Sequence, residues 1–186
     1  MIEKLDRLDK ELDILFKSLS KYSNEEINLR PNLKKWSIGE NLYHLWLSET
    51  STEKYIRKKT SYPDTLVKVN PIARLKLSIL YFIFFVGIKF KAPKILVDPI
   101  PNNVDLEELK KKWLKSRKSF KMLIESLDEK DLNKGVLKHP LVGRINMKMT
   151  LDFLFYHFKN HYNQCKLNIH KIFYIRSRIF KLLMEK

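Results

Sequence analysis

Apolar side chains recur at spacings of three and four over several long stretches of the chain, with charged residues filling the positions between. The first stretch, residues 2–20, carries Ile2, Leu5, Leu8, Leu12, Leu15 with Phe16, and Leu19, which predicts an amphipathic helix. Tyr22 to Lys35 reads as a connector closed by Arg30-Pro31. Ser37-Ile38-Gly39-Glu40 then has the form of a capping box. The serine hydroxyl can accept from the third helical amide while Glu40 reaches back, and Trp36 stands where an apolar residue can staple the chain to the first turn. The helix it opens is predicted to reach about Lys59, with Pro63 beyond. A third runs from about Leu106 to Leu127 on a stripe of Leu106, Leu109, Trp113, Phe120, Leu123, Ile124 and Leu127, with Lys110 to Lys112 facing water. After a loop with Gly135, His139-Pro140 and Gly143, Asn146 can cap a fourth helix, predicted to reach about Asn168. An amphipathic segment over 169–186 follows, carrying Ile172, Phe173, Ile175, Ile179, Leu182 and Leu183. No stretch alternates as a strand would. The expectation is an all-α fold, one domain over residues 1–186.

Residues 61–104 separate the second and third long helices. A connection of that length lets the two lie parallel, where a short turn would make them a hairpin. It contains the apolar run Leu77 to Ile88, bounded by Lys76 and Lys89. As a helix this run spans about 18 Å, against about 30 Å of bilayer hydrocarbon, so it is no transmembrane segment. It reads as a buried short helix or a subunit interface, with a membrane-surface anchor as the alternative. Pro93, Pro99 and Pro101 predict an extended stretch after it.

Charge changes the picture more than length does. The 186 residues hold 37 Lys and Arg against 21 Asp and Glu, a formal net of +16, which attracts polyanions. Yet only eight of those cations are arginine, the residue whose planar fork reads phosphates and base edges, and the aromatics do not interleave with basic residues as on a stacking platform. This argues against nucleic acid as a partner. The single cysteine, Cys165, excludes an intramolecular disulfide framework and a cysteine-rich zinc module. The opening Met1 to Asp6 alternates charged and apolar residues, unlike a signal peptide, so the expected compartment is the cytoplasm.

His157 and His161 lie one turn apart on the predicted fourth helix, so both imidazoles leave the same face. Two neutral nitrogen donors so placed suit a divalent transition metal, and a third ligand must come from elsewhere. His44, set among apolar neighbours in Asn41-Leu42-Tyr43-His44-Leu45-Trp46, is the natural candidate. On spacing alone the His-x3-His pair is weak, because the glutamate of the His-Glu-x-x-His motif is replaced by Phe158. A pair of satisfied core histidines is the competing reading. Asn41 and Ser48, one turn either side of His44, and Gln164, three beyond His161, are candidates to line a pocket or support a ligand. Glu49 is rotated off that face, and no general base stands out. His139 reads as closing its loop with a hydrogen bond, Cys165 as core and His170 as solvated.

The segment Trp36-Ser37-Ile38-Gly39-Glu40-Asn41-Leu42-Tyr43-His44-Leu45 resembles the second-helix signature of the DinB-like (damage-inducible) superfamily. His139-Pro140-Leu141-Val142-Gly143, then Asn146 and Phe153 to Gln164, resembles its C-terminal signature, and the likeness spans roughly residues 1–170. The resemblance implies an up-down-down-up four-helix bundle with the long crossover in its middle. It implies that His44, His157 and His161 hold one divalent ion, zinc or nickel. It also implies activities such as thiol S-transfer with bacillithiol or mycothiol, or metal-dependent hydrolysis of a small molecule, and a homodimer for which the 77–88 run offers a surface.

Three ligands leave a tetrahedral ion one open position, where either a water or a thiol can be activated. The ligand set alone does not choose between them. A non-catalytic metal- or ligand-binding bundle and a basic surface protein that engages anionic lipid or nucleic acid are the alternatives.

Overall fold

The computed structural model describes residues 1–33, 35–88 and 94–184, with 173 and 175–184 described by backbone alone. It is built from helices α1 (Ile2–Leu19), α2 (Asn24–Asn28), α3 (Ile38–Thr60), α4 (Pro71–Phe85), α5 (Leu106–Ser126), α6 (Glu129–Leu132) and α7 (Met147–Met184), with one hairpin of strands β1 (Leu137–His139) and β2 (Gly143–Ile145). The predicted stripes are the buried faces. Leu5, Leu8, Leu12, Leu15 and Leu19 of α1 and Leu109, Trp113, Phe120 and Leu123 of α5 all lie in one continuous core. Trp113 sits fully buried near its middle, edge-on to Phe16 and Phe158 at 6.2 and 6.5 Å between centroids.

Residue pairs fix the directions of the four long helices. Tyr43 lies beside Lys112, Glu49 bonds Arg117 and Glu53 accepts from Ser119, so α3 and α5 run parallel. Asp9 meets Arg117 while Asp6, nearer the start of α1, meets Lys121, so α1 opposes α5. Lys4–Asp152 and Glu11–Lys159 set α1 parallel to α7, and Asn41–His161 with Trp36–Asn168 sets α3 against α7. The order is up, down, down, up.

Two capping boxes are formed among the described residues. Ser37 Oγ accepts from Glu40 N at 3.1 Å and Glu40 Oε2 accepts from Ser37 N at 2.7 Å. Arg30 then pairs with the Glu40 carboxylate and holds it below the usual carboxylate range, although burial opposes this. Ser23 and Glu26 repeat the motif and open α2, inside what the sequence pattern treats as connector. Gly39, two residues past its cap, is needed for close approach: a Cβ there would meet Asn28 Oδ1 at 2.8 Å. Asn28 in turn brackets Val104, accepting from its N at 2.8 Å and donating to its O at 3.0 Å, which ties the end of the crossover to the start of α3.

Four expectations are corrected. Residues 137–145 form an antiparallel hairpin, Leu137 opposite Ile145, whose strands are too short to show alternation; Gly143 at φ 93° makes its turn. The fourth long helix does not stop at Asn168, because residues 147–184 contain neither Gly nor Pro and the helix continues through the supposed separate segment. The side chains of Phe173, Ile175, Ile179, Leu182 and Leu183 lie outside the described residues, as does Pro93. Lys94–Leu96 is not extended but winds into a single 3-10 turn, with Val97 N and Asp98 N both donating to Lys94 O. The apolar run is helical as expected, but only one side of it is buried: Ala73, Leu77 and Leu80 face α7, while Leu75, Ile79 and Phe82 are exposed. Among the described residues no helix is long and apolar enough to cross a membrane.

Candidate metal centre

Helices α3 and α7 pack more closely than any other pair, and their facing surfaces carry the three histidines. One ring nitrogen from each of His44, His157 and His161 lies within 4.8 Å of the other two. Ring centroids are 5.3 Å apart for His44–His157, 4.9 Å for His44–His161 and 4.8 Å for His157–His161. Tetrahedral zinc at 2.0–2.1 Å from each nitrogen spaces its donors about 3.4 Å apart, so small ring movements close the set.

Two of the rings have their tautomer fixed from behind. His44 Nδ1 is 3.3 Å from Leu96 O, a carbonyl that only accepts, so Nδ1 carries the proton and Nε2 keeps its lone pair. Asn41 Nδ2 donates to Ser37 O at 2.7 Å, which turns Oδ1 toward His161 Nδ1 at 2.8 Å. His161 Nδ1 therefore donates, and its Nε2 likewise keeps the lone pair that a metal ion would take. Burial pushes His44 below the ordinary histidine range and His157 down to about 3, so both are neutral at pH 7, the form that binds metal. Three nitrogen donors, two of them held from behind by a backbone carbonyl or an amide oxygen, fit a divalent transition ion.

The histidines line a cavity of about 1000 Å³. Leu80 and Phe84 of α4, Leu137 and Leu141 of the hairpin, Phe153 and Ile95 give it apolar walls; Lys35, Lys94 and Lys138 place cations on it, and Asp98 is its one acid among the described residues. Of the pocket candidates, Ser48 and Gln164 line this cavity, and Ser48 Oγ is buried with no hydrogen-bond partner among the described residues. Asn41 does not line it but stands behind His161. Glu49 points the other way, to Arg117 and Trp113 on α5.

Other residues of the site were not legible as such. Trp36, expected to staple the helix start, instead lies against His44 at 4.9 Å and stacks on His161 at 6.1 Å. Phe153 stacks on His157 at 5.4 Å. Ser48, Ser51, Thr52 and Tyr55 continue the His44 face of α3 along the cavity, a polar stripe at helical spacing that the sequence does display. His139 also lines the cavity, but its Nδ1 accepts from Leu141 N and Val142 N, both at 3.3 Å, and it stands outside the three-histidine group. Cys165 is buried, its thiol pushed up to about 12, and His170 is exposed.

Comparison with known proteins agrees with this architecture. Over 144 residues the chain is 28% identical to the Bacillus subtilis (strain 168) uncharacterized protein YuaE, covering 77% of this chain and 83% of the relative. No solved structure matches. The DinB superfamily model matches residues 5–165, a span that holds all four long-helix cores and all three histidines, and the chain belongs to that superfamily.

Proposed function

We propose that this DinB-superfamily protein is an enzyme that holds one divalent transition metal, zinc or nickel, on His44, His157 and His161 and transfers a low-molecular-weight thiol to a small electrophile. The observation that supports the reading is the pair of oriented imidazoles: Leu96 O and Asn41 Oδ1 hold Nδ1–H of His44 and His161, which keeps the lone pairs on Nε2, in a group with His157 whose ligand nitrogens lie within 4.8 Å of one another at the wall of a cavity large enough for a substrate. A bound ion supplies Lewis acidity that brings the pKa of a thiol, or of water, toward neutrality.

The chain's own groups do the rest. Phe84, Phe153, Leu80 and Leu141 exclude water and hold an apolar electrophile by contact. Lys35, Lys94 and Lys138 attract the carboxylates that make a small thiol soluble. Ser48 Oγ, unpartnered on the wall, is placed to accept from or donate to the bound molecule. In the transfer the thiol gives its proton to solvent, the sulfur forms a bond to the electrophilic carbon, and the leaving group departs with the electron pair of the bond that breaks. Among the described residues the three-histidine group holds no carboxylate and Asp98 is the one acid on the cavity wall, so we favour thiol transfer, in which the nucleophile is activated by ionisation alone, over hydrolysis, which calls for a general base beside the ion.

Elemental analysis of protein purified without a His-tag or chelator tests the site. About one ion per chain is expected, lost in His44→Ala/His157→Ala. Loaded protein is then expected to accelerate thiol conjugation of an alkylating dye, with the double variant at background. Absence of metal after incubation with zinc and with nickel overturns the reading.

A further inference from the structure

Helix α4 has two apolar faces, and the bundle uses only one. Ala73, Leu77 and Leu80 are buried against the bundle. On the opposite side Ile72 (57% exposed), Leu75 (63%), Ile79 (50%), Phe82 (64%) and Val86 (47%) follow one another at spacings of three and four, so they form one stripe facing away from the core. Phe85 beside it is 84% exposed. At 100° per residue Arg74 and Lys76 project to either side of Leu75, and both are exposed, so a cation flanks the stripe on each side.

The crossover's own sequence is one-sided in charge, and Asp152 of α7, the acid that acts on Tyr81 of α4, is paired with Lys4. Between Asp64 and Asp98 the chain has no acidic residue, while Lys68, Arg74, Lys76, Lys89, Lys91 and Lys94 fall in that stretch. Exposed Leu, Ile and Phe in a row, bracketed by cations and with no acid in their own stretch of chain, fit a surface that is apolar in depth and anionic at its edge. A second copy of the same face would bring like charges together, and nucleic acid offers nothing to bury the aliphatic stripe against.

We propose that the outer face of α4 is a membrane-docking surface, which lies in the interface of an anionic bilayer with Leu75, Ile79 and Phe82 among the acyl chains and Arg74 and Lys76 at the headgroups. Docking so oriented brings the cavity wall to the bilayer, because Leu80 and Phe84 line the cavity from the inner side of the same helix. The proposal stands apart from the metal reading: no stripe residue touches a histidine of the three-histidine group.

The test is sedimentation of the full chain with vesicles of phosphatidylcholine alone and of phosphatidylcholine with phosphatidylglycerol, over a salt series, for wild type and for Leu75→Ser/Phe82→Ser. Both positions are more than half exposed, so the variant is expected to keep its helix content by circular dichroism. Binding is expected only to the anionic vesicles, at least tenfold weaker in the double variant and weakened again by Arg74→Gln/Lys76→Gln. A Phe85→Cys variant carrying a polarity-sensitive fluorophore, with buried Cys165 unlabelled, is expected to shift to the blue on those vesicles. Equal vesicle binding by wild type and Leu75→Ser/Phe82→Ser overturns the proposal. So does a wild type that ignores vesicles, including one that light scattering finds as a dimer which the double variant converts to monomer, or one that binds duplex DNA instead.

Discussion

Asn41 does two things with one amide. Its nitrogen is committed to Ser37 O, and its oxygen receives His161 Nδ1–H, so the ring cannot turn without breaking a buried hydrogen bond. Asn41→Leu is expected to weaken metal binding 10- to 100-fold without changing its stoichiometry, read by competition with a chromophoric chelator. His139 offers a second test at this scale. Burial lowers it to about 4 from the ordinary 6.5, so between those values the unfolded chain takes up a proton that the folded chain refuses. Its contribution is therefore present at pH 7 and lost on acidification from about 6.5 to about 4, a span worth about 3 kcal/mol. Urea midpoints for wild type and His139→Gln at pH 7 and pH 4.5 are expected to converge as the pH falls. Buried Cys165, whose thiol is pushed up to about 12, is expected to resist a maleimide at pH 7.5 in native protein and to react on addition of urea.

Between helices, one arginine carries much of the registration. Arg117 is buried on α5 and bonds Glu49 of α3 through two nitrogens and Asp9 of α1 through a third, at 2.6 Å for Asp9. Removing it leaves the Glu49 carboxylate buried and unpaired, so Arg117→Ala is expected to cost about 3–5 kcal/mol in chemical denaturation. Metal stoichiometry is expected to survive in the folded fraction, since Glu49 and His44 leave α3 in different directions. A clean apolar stripe locates α1 and α5, and a capping box with Pro63 beyond locates α3, each to within a residue or so. It does not reveal Arg117, a charged residue on a buried face, because nothing in one helix announces its partners on two others. The hairpin escapes for a different reason: three-residue strands are set by Gly143 and by the ends of α6 and α7, not by a pattern of their own. Spacing supplies the α7 pair and the apolar setting of His44 makes it the natural third candidate, but only family likeness says that the helix carrying His44 faces that pair.

For the molecule as a whole, metal that binds only the folded chain adds stability by mass action. At a free metal concentration 100 times the dissociation constant this amounts to about 2.7 kcal/mol, so the melting temperature is expected to rise on adding zinc or nickel to wild type and to stay put in His44→Ala/His157→Ala. The excess of positive charge is unevenly spent: Lys4, Lys121 and Lys159 pair with acids on neighbouring helices, whereas residues 65–97 carry none to pair with. Chemistry and recognition are divided as well. The three imidazoles come from α3 and α7, whereas much of the cavity wall comes from the crossover and the hairpin. Selection can therefore rewrite what enters the chamber by exchanging side chains within residues 61–104, as long as the Leu96 carbonyl that holds His44 keeps its place. One bundle is thereby open to many substrates over evolutionary time, and a protein engineer can use the same seam to graft a new specificity.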